Sequence, residues 1–422
     1  MSSLHAQETL EVYSLEDCHR FAVQYSPALA RQRLTYSNLV EAVEVVKAIY
    51  DPSLQISQAW QDEDDPQRTT AVLRQQLPAD LDVALTARRE VLDNEDYTSY
   101  ALSLSKTLLG GGTFLEAKLP LERAWIEKAK QANILSLEQR QLRLGVTNDF
   151  YAVVRNQLTL HLRELQVERS KKNLEHAMIK EDPLDIATAK LQIPENELAV
   201  ISSKRQIANS RLFLTERVGL PVAEPLNVNT QLVFEIRPFN MEQDLASALE
   251  NHEEILNARM DVELNHMEAK VARTRRYPEV RAALSMEEND APASSDSNMR
   301  AEIVLELPWL DRSDRAEARR RENDLKQSEL TLYSVKQRVE QQIKSIAVQV
   351  VEAERSVVLS AERLLVLEQQ FTLYQDRWDN GEIGILEFVR SQNDLENARV
   401  QLVTKQTEYL ELRAEYDFKI GK

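Results

Sequence analysis

The chain contains few of the residues that interrupt helices or link them covalently: 8 glycines, 13 prolines and one cysteine among 422 residues. A single cysteine, Cys18, excludes an internal disulfide and a cysteine-based metal cluster. Aromatic residues make up only 6%, whereas charged residues make up 29% and Ala, Leu, Glu, Gln, Lys and Arg dominate. This composition is typical of long, coiled-coil-like helices rather than of two or three ordinary globular domains.

Long apolar runs and an excess of basic charge are also missing. No run of 18 apolar residues occurs, so no transmembrane helix is predicted. The formal net charge of −17 argues against nucleic acid as a partner, because phosphates require basic patches. No secretory signal is recognisable in MSSLHAQETLEVYSL, which lacks a basic n-region and an apolar core. We expect export to depend on residues upstream of this Met1; the segment LHA is either the tail of a cleavage site or a short polar tail.

Two distant segments of the chain share one pattern without gaps. Residues 13–52 and 239–278 align at an offset of 226, with apolar positions recurring together and Pro52 falling on Pro278. A fixed offset of this kind indicates an internal repeat. The predicted domains are a first repeat, a linker and a second repeat: 13–218, 219–238 and 239–417.

Each repeat is predicted to contain the same elements. A helix of about 37 residues ends before the proline, because proline cannot continue a helix. Short segments that alternate apolar and polar residues follow and predict strands. A long helix (113–179 or 313–377) and a return helix (184–217 or 384–417) complete the repeat. The extra segment TTAVLRQQLPADLDVALTAR in the first repeat leaves the number of strands open.

Three of the few glycines are adjacent, in TLLGGGT. They lie where an alternating segment gives way to a helical one, so Gly110, Gly111 and Gly112 are predicted to form the turn from strand to helix. The lack of a following Lys-Ser/Thr argues against a phosphate-binding loop.

These segments, in their order and duplication, resemble the outer-membrane efflux protein family, the TolC-like ducts. The resemblance is carried by LSLSKTLLGGGTFLEAKLPLERA, by LELPWLDRSDRAEARR and most specifically by RWDNGEIGILEFVRSQNDLENARVQLV. It implies a mostly α fold with a small β part: two repeats of long antiparallel helical hairpins with short strands. It also implies a homotrimer whose helices form an α-barrel across the periplasm and whose strands form one β-barrel in outer-membrane lipid.

The resemblance also implies function and site residues. A trimeric exit duct of this family works with a periplasmic adaptor (membrane fusion protein) and an inner-membrane pump, in efflux or type I secretion. By position, Trp378 and Glu387 match an aromatic and an acid that narrow the periplasmic mouth, and Arg390 stands where a second acid is often found. The alternative for this tip is an ordinary capped helical hairpin with surface charges.

No catalytic, cofactor or metal site is predicted. Two Glu-x-x-His spacings, Glu16/His19 and Glu263/His266, could each hold a metal ion on one helix face. They fall at different positions of the two repeats, which argues against a shared site. No nucleophile–base constellation indicates an enzyme. The alternative function is a periplasmic or soluble coiled-coil scaffold or adaptor without a channel.

Overall fold

The computed structural model describes residues 12–59, 67–77, 81–92, 95–109, 114–221, 226–291, 294–307 and 312–422. Within these ranges the chain is mostly helical with a small β part, as predicted. The helices are α1 (Leu15–Tyr25), α2 (Pro27–Lys47), α3 (Phe114–Lys180), α4 (Pro183–Val218), α5 (Met241–Asn251), α6 (Glu253–Thr274), α7 (Arg312–Asp379) and α8 (Ile385–Lys419). The strands are β1 (Val12–Tyr13), β2 (Ser53–Ala59), β3 (Gln67–Leu77), β4 (Leu81–Leu92), β5 (Glu95–Leu109), β6 (Asn227–Val228), β7 (Glu279–Ala291) and β8 (Ser294–Glu306).

The helices expected before the strands are each divided in two. Ser26 and His252 leave the helical conformation, with ψ of 119° and 129°. Pro27 explains the first break, because the residue before a proline is disfavoured in the α region. The prediction of one continuous helix of about 37 residues before the strands of each repeat is therefore wrong.

One compact unit contains residues 1–32, 135–253 and 337–422. Its core packs α1 and α4 against the second half of α3, around Ala22, Val146, Val153 and Leu214. Cys18 lies in this core, and its burial raises the pKa of the thiol to about 12. The cysteine is therefore a small packed residue.

Helix α4 ends in this unit at Gly219, which adopts a left-handed conformation with φ of 83°. A Cβ atom at this position would lie 2.7 Å from the carbonyl oxygen of Tyr25. The position therefore requires glycine for both its conformation and its space.

The other unit contains residues 33–134 and 254–336. Its helices α3, α6 and α7 are joined through the buried carboxylate of Glu268, which accepts hydrogen bonds from Arg123 and, at 2.5 Å, from Arg321. Two guanidinium partners compensate the carboxylate for its loss of water.

The same unit holds a six-stranded antiparallel sheet in the order β2-β3-β4-β5-β7-β8. The segment whose structure the sequence left open forms β3 and β4. Strands β2 and β7 begin directly after Pro52 and Pro278. The predicted turn at Gly110, Gly111 and Gly112 lies outside the described residues.

Candidate functional site: an apolar sheet face and a helical tip

The six-stranded sheet presents a row of large apolar side chains that directly face one another across neighbouring strands. The row consists of Leu54, Leu73, Leu85, Leu102, Met286 and Met299. Each is between 42% and 67% exposed. Soluble monomers rarely expose contiguous apolar patches of more than a few hundred Å². This surface therefore requires a partner or a lipid environment.

Neighbouring rows extend the apolar face in both directions. On this face lie Ile56, Ala71, Val83, Ala87, Tyr100, Leu104, Ala282, Leu284, Ala301, Ile303 and Leu305. From Val280 to Met286 the band extends over about 20 Å along the strand, at ~3.4 Å per residue. That is shorter than the typical ~25 Å band of a transmembrane barrel.

The opposite face of the same sheet is chiefly polar. It carries Ser53, Gln55, Ser57, Thr70, Arg74, Thr86, Arg88, Ser103, Ser105, Ser285, Glu287, Asn298, Arg300 and Glu302. Arginines and acids lie on this face together, and Arg68 pairs with Glu90 across β3 and β4 at 2.9 Å. An apolar face combined with a polar face is the pattern of a barrel wall with lipid outside and water inside.

Charged groups mark one margin of the apolar face. Arg89 on β4 donates to both carboxylate oxygens of Asp96 on β5, at 2.9 and 2.6 Å. Glu288 stands directly opposite Tyr100. A bidentate ion pair beside a tyrosine is suited to a membrane–water interface. There the aromatic ring contacts apolar surroundings while the hydroxyl group reaches water.

A second feature is the tip formed by two helix connections, α3 to α4 and α7 to α8. Asp182 caps α4 by accepting from the backbone amides of Leu184 and Asp185. The carboxylate of Asp185 in turn accepts from the amide of Ile385, the first residue of α8, at 3.4 Å. Gly381 provides the left-handed turn before α8, with φ of 75°. The side chain of Asp185 thus links the two connections.

An apolar cluster fixes this tip. Its buried members are Ala177, Ala189, Trp378, Ile383, Ile385, Phe388 and Val389. The indole of Trp378 is only 4% exposed and stacks on the ring of Phe388, with centroids 5.6 Å apart and planes at 12°. The predicted aromatic gate residue therefore lies within the packed tip. Any effect of Trp378 on the mouth would act through this packing.

The other two predicted gate residues, Glu387 and Arg390, are both exposed on the first turns of α8. In the described part of the chain, no ion pair joins them. Further exposed acids lie on the same connections: Glu181, Asp182, Asp379 and Glu382. Arg377 pairs with Glu382 at 3.4 Å, and the remaining acids leave the tip surface net acidic. In the described part of the chain, Arg390 has no ion pair of its own.

Sequence reasoning did not single out two exposed apolar stripes with seven-residue spacing. On α4 the stripe is Leu184, Leu191 and Leu198, and on α7 the positions are Val351, Val358, Leu359, Leu365, Val366 and Leu373. A seven-residue repeat of exposed apolar side chains is the signature of a helix that packs against another helix. The seven-residue spacing of these apolar residues is visible in the sequence and could have identified both stripes.

In the described residues, neither Glu-x-x-His pair belongs to a cluster that could hold a metal ion. His19 Nε2 lies 2.9 Å from the hydroxyl of Thr147, and burial lowers the pKa of its imidazole. Among the described residues, no three His, Cys, Asp or Glu side chains are grouped as possible metal ligands. The described helices also include none with the length and hydropathy of a membrane span.

Comparison with known proteins tests the resemblance to the outer-membrane efflux family. A family model described as "Outer membrane efflux protein" matches residues 245–415, somewhat less than half of the chain. The predicted resemblance to outer-membrane efflux proteins is confirmed. A search of curated proteins finds no match to this sequence.

Solved structures of outer-membrane channels share the fold at low sequence identity. The outer membrane protein VceC of Vibrio cholerae has a TM-score of 0.72 at 13% identity, with 96% of each chain covered. The CmeC outer membrane channel of Campylobacter jejuni has a TM-score of 0.71 at 11% identity, covering 96% of this chain and 85% of its own. The MtrE channel of Neisseria gonorrhoeae, solved in an open state, has a TM-score of 0.72 at 13% identity, covering 96% and 88%. The TolC-like fold thus extends over nearly the whole chain.

Proposed function

We propose that this chain is one subunit of a trimeric outer-membrane channel that serves as a passive exit duct. The observation that carries the proposal is the sheet with one apolar and one polar face. In lipid, every backbone polar group needs an internal partner, so a strand wall must close on itself. The sheet has two edges, β2 and β8, and additional copies can complete such a wall.

The duct needs no chemistry of its own. Solutes would move through a water-filled lumen lined by the polar sheet face, and direction would come from an energised partner. We propose an inner-membrane pump and a periplasmic adaptor as those partners, in a tripartite efflux or type I secretion system. The chain would lie in the outer membrane and extend through the periplasm.

The apolar stripes on α4 and α7 support assembly into a larger helical body. They equally suit the alternative, a coiled-coil scaffold or adaptor without a channel. The sheet separates the two proposals, because a scaffold has no use for an exposed apolar sheet face. Fractionation decides: a channel subunit requires detergent for extraction from outer membranes, and a scaffold does not.

We further infer that the chain consists of two tandem repeats, 13–218 and 239–417, joined by 219–238. Two observations support this proposal. The helix breaks at Ser26 and His252 lie 226 residues apart, which is the offset of the sequence alignment. Each repeat also runs from a divided helix through strands to a long helix and a return helix.

The proposed assembly predicts three copies per particle. The protein extracted in mild detergent should give a native mass of three chains, because the sheet edges and the helix stripes are covered only in the complex. Native mass spectrometry at several detergent concentrations measures this. A monomer that keeps its β-sheet circular dichroism signal would contradict the proposal.

The acidic tip predicts cation preference at the mouth. Glu387→Gln should lower the ratio of cation to anion permeability, since three symmetry-related carboxylates near one axis attract cations. Arg390→Ala should raise this ratio, because it removes a positive charge that has no ion pair among the described residues of the tip. Reversal potentials in planar bilayers under a salt gradient measure both, with Glu362→Gln on α7 as a control. Equal selectivity in all variants would leave the tip as an ordinary capped hairpin.

A further inference from the structure

A cavity of roughly 540 Å³ lies within the compact unit formed by residues 1–32, 135–253 and 337–422. Its walls come from the start of α1, the middle of α3, the last turns of α8 and the segment 233–237. Cavities that bind small ligands commonly measure about 300–1,000 Å³. The lining residues belong to neither the sheet nor the helical tip, so this cavity is a separate feature of the chain.

Regular spacing along two helices places the lining side chains on one face of each. On α3 the lining positions include 140, 143, 144, 147 and 151, and on α8 they include 410, 413, 414 and 417. Steps of three and four residues keep side chains on one helix face. The segment 233–237 contributes every second residue, and the amide of Arg237 ties it to α8 by donating to the hydroxyl of Tyr409 at 3.1 Å.

The cavity is basic although the chain is acidic. Five cationic side chains line it, whereas its only lining acids are Glu235 and Asp417. The cations are Arg140, Arg143, Arg237, Arg413 and Lys422. The chain as a whole carries a net charge of −17. A local excess of positive charge between low-dielectric walls concentrates anions.

Two of the five cations are paired with acids that do not line the cavity. Arg140 pairs with Glu253, and Lys422 pairs with Asp244 at 3.0 Å. Three arginines then remain against the two lining acids, so a smaller positive excess persists. Of these three, Arg143 and Arg237 are exposed and have no ion pair of their own within the described ranges.

Arg413 is the cavity's best-placed donor for an anion. Its side chain is only 14% exposed, and its nearest carboxylate, that of Asp417, lies 3.4 Å away. The guanidinium packs against the rings of Phe239 and Tyr416, 5.3 and 5.1 Å from their centroids. Its Nε and Nη1 atoms are buried and have no hydrogen-bond partner among the residues that the structure describes. Buried N–H groups need an acceptor, and a charged oxygen is a strong one.

The two long walls of the cavity run antiparallel. Arg140 of α3 donates to the carbonyl oxygen of Phe418 at 3.2 Å, and Arg155, four turns later on α3, donates to Glu411 at 3.0 Å. A late position on α8 therefore lies beside an early position on this part of α3.

This direction separates a charged end from an apolar end. Arg143 and Asp417 lie towards one end, and Tyr151 and Leu410 lie towards the other. Along α3 the two ends are about 12 Å apart, at ~1.5 Å per residue. Val233, which is 70% exposed, adds a further apolar side chain to the lining. A complementary ligand has a negative group at one end and an apolar body.

We propose that this cavity binds a small organic anion, a carboxylate or sulfonate with an apolar body. Arg413 holds the acid group together with Arg143 and Arg237, and the body lies between Leu410 and Tyr151. An inorganic anion leaves the apolar end unfilled, and a neutral molecule gives the buried N–H groups of Arg413 no charged acceptor. The site does not rest on the proposed channel, because all its residues belong to one compact unit of a single chain.

A series of three probes tests the ligand class. The full-length protein in mild detergent is dialysed to equilibrium against naphthoate, naphthylmethanol or inorganic phosphate, with detergent alone as the blank. Naphthoate should bind saturably, with one molecule per chain. Its affinity should exceed that of naphthylmethanol and of phosphate on the order of tenfold or more, because only naphthoate engages both ends of the cavity.

Single substitutions test the site. Arg143→Gln and Arg237→Gln each remove an exposed charge and should weaken naphthoate binding by roughly threefold to tenfold. Arg413→Lys keeps the charge but loses the planar donors, and should weaken binding on the order of tenfold or more. Ala414→Phe changes no charge and should block binding by filling the cavity. Lys171→Gln, at an exposed position of α3 outside the cavity, is the matched control and should bind like the wild type.

The outcomes decide the site and its ligand class. Equal naphthoate binding by the wild type and by all variants would overturn the site. Phosphate binding as tightly as naphthoate would overturn the apolar body, and naphthylmethanol binding as tightly would overturn the role of the arginines. Circular dichroism checks the fold of each variant, and the two exposed arginines decide the matter even where a buried substitution unfolds the chain. Loss of the trimer with intact naphthoate binding would contradict the proposed assembly and support this site.

Discussion

Replacing Leu102 with arginine should prevent stable insertion of the protein into a bilayer, whereas replacing its neighbour Ser103 with arginine should not. Leu102 lies in the middle of the apolar row, between Leu85 and Met286, and Ser103 points to the opposite face. An arginine on the lipid face at mid-bilayer costs about 2–4 kcal/mol. In a threefold assembly the cost applies three times, so the expected effect on assembly is large.

Leu102→Arg and Ser103→Arg form a matched pair, since the same side chain is added at adjacent positions of one strand. Folding into lipid vesicles, followed by the yield of protease-protected trimer, measures the effect. We expect loss of nearly all protected trimer for Leu102→Arg and a near wild-type yield for Ser103→Arg. Equal yields would show that the apolar face does not contact lipid, and loss for Ser103→Arg alone would assign the faces in reverse.

The helices could be predicted from the sequence because their signals are local. The predicted return helix 184–217 is observed as Pro183–Val218, and 384–417 as Ile385–Lys419. Proline and Asp182 mark the start of the first, and a left-handed glycine marks the end, so capping chemistry alone sets these limits. The break at Ser26 has a local signal in Pro27, but the break at His252 is followed by Glu253 and has none.

The sheet could be predicted only in part. Alternation showed that strands exist, but β3 and β4 carry Gln75 and Arg89 on the chiefly apolar face, which weakens the period-two pattern. Pairing between β5 and β7 joins residues more than 170 positions apart in the chain. Such pairings depend on contacts that no local pattern encodes. The continuous apolar row is visible only when all five registers are known.

The predicted gate residues also show that long-range contacts cannot be predicted from local sequence patterns. Trp378 could be placed by position at the tip, but its burial depends on Ala177 and Ala189 from the other connection. Periodicity within α7 and α8 contains no information about those contacts. Glu387 and Arg390 could be predicted as surface charges, because charged side chains are mostly exposed to solvent.

Replacing Trp378 with alanine should loosen the tip more than any change of its surface charges. The indole is almost fully buried, and its removal deletes the stack on Phe388 together with contacts inside the apolar cluster. Truncation of a buried tryptophan typically costs about 3–5 kcal/mol. The tip is small, so local opening rather than global unfolding should absorb the loss.

Hydrogen exchange of the backbone amides between 378 and 389 measures this opening directly. A loss of 3 kcal/mol corresponds to exchange about a hundredfold faster, since every 1.4 kcal/mol is a factor of ten. Trp378→Phe should retain much of the protection because a ring still stacks on Phe388. Leu386→Ala, at a position 69% exposed on the same helix, should leave exchange unchanged.

If the tip closes the mouth of the channel, Trp378→Ala should also raise the resting conductance in bilayers, with little change for Leu386→Ala. Unaltered exchange in Trp378→Ala would mean that the polar link from Asp185 to α8 holds the connections together without the cluster.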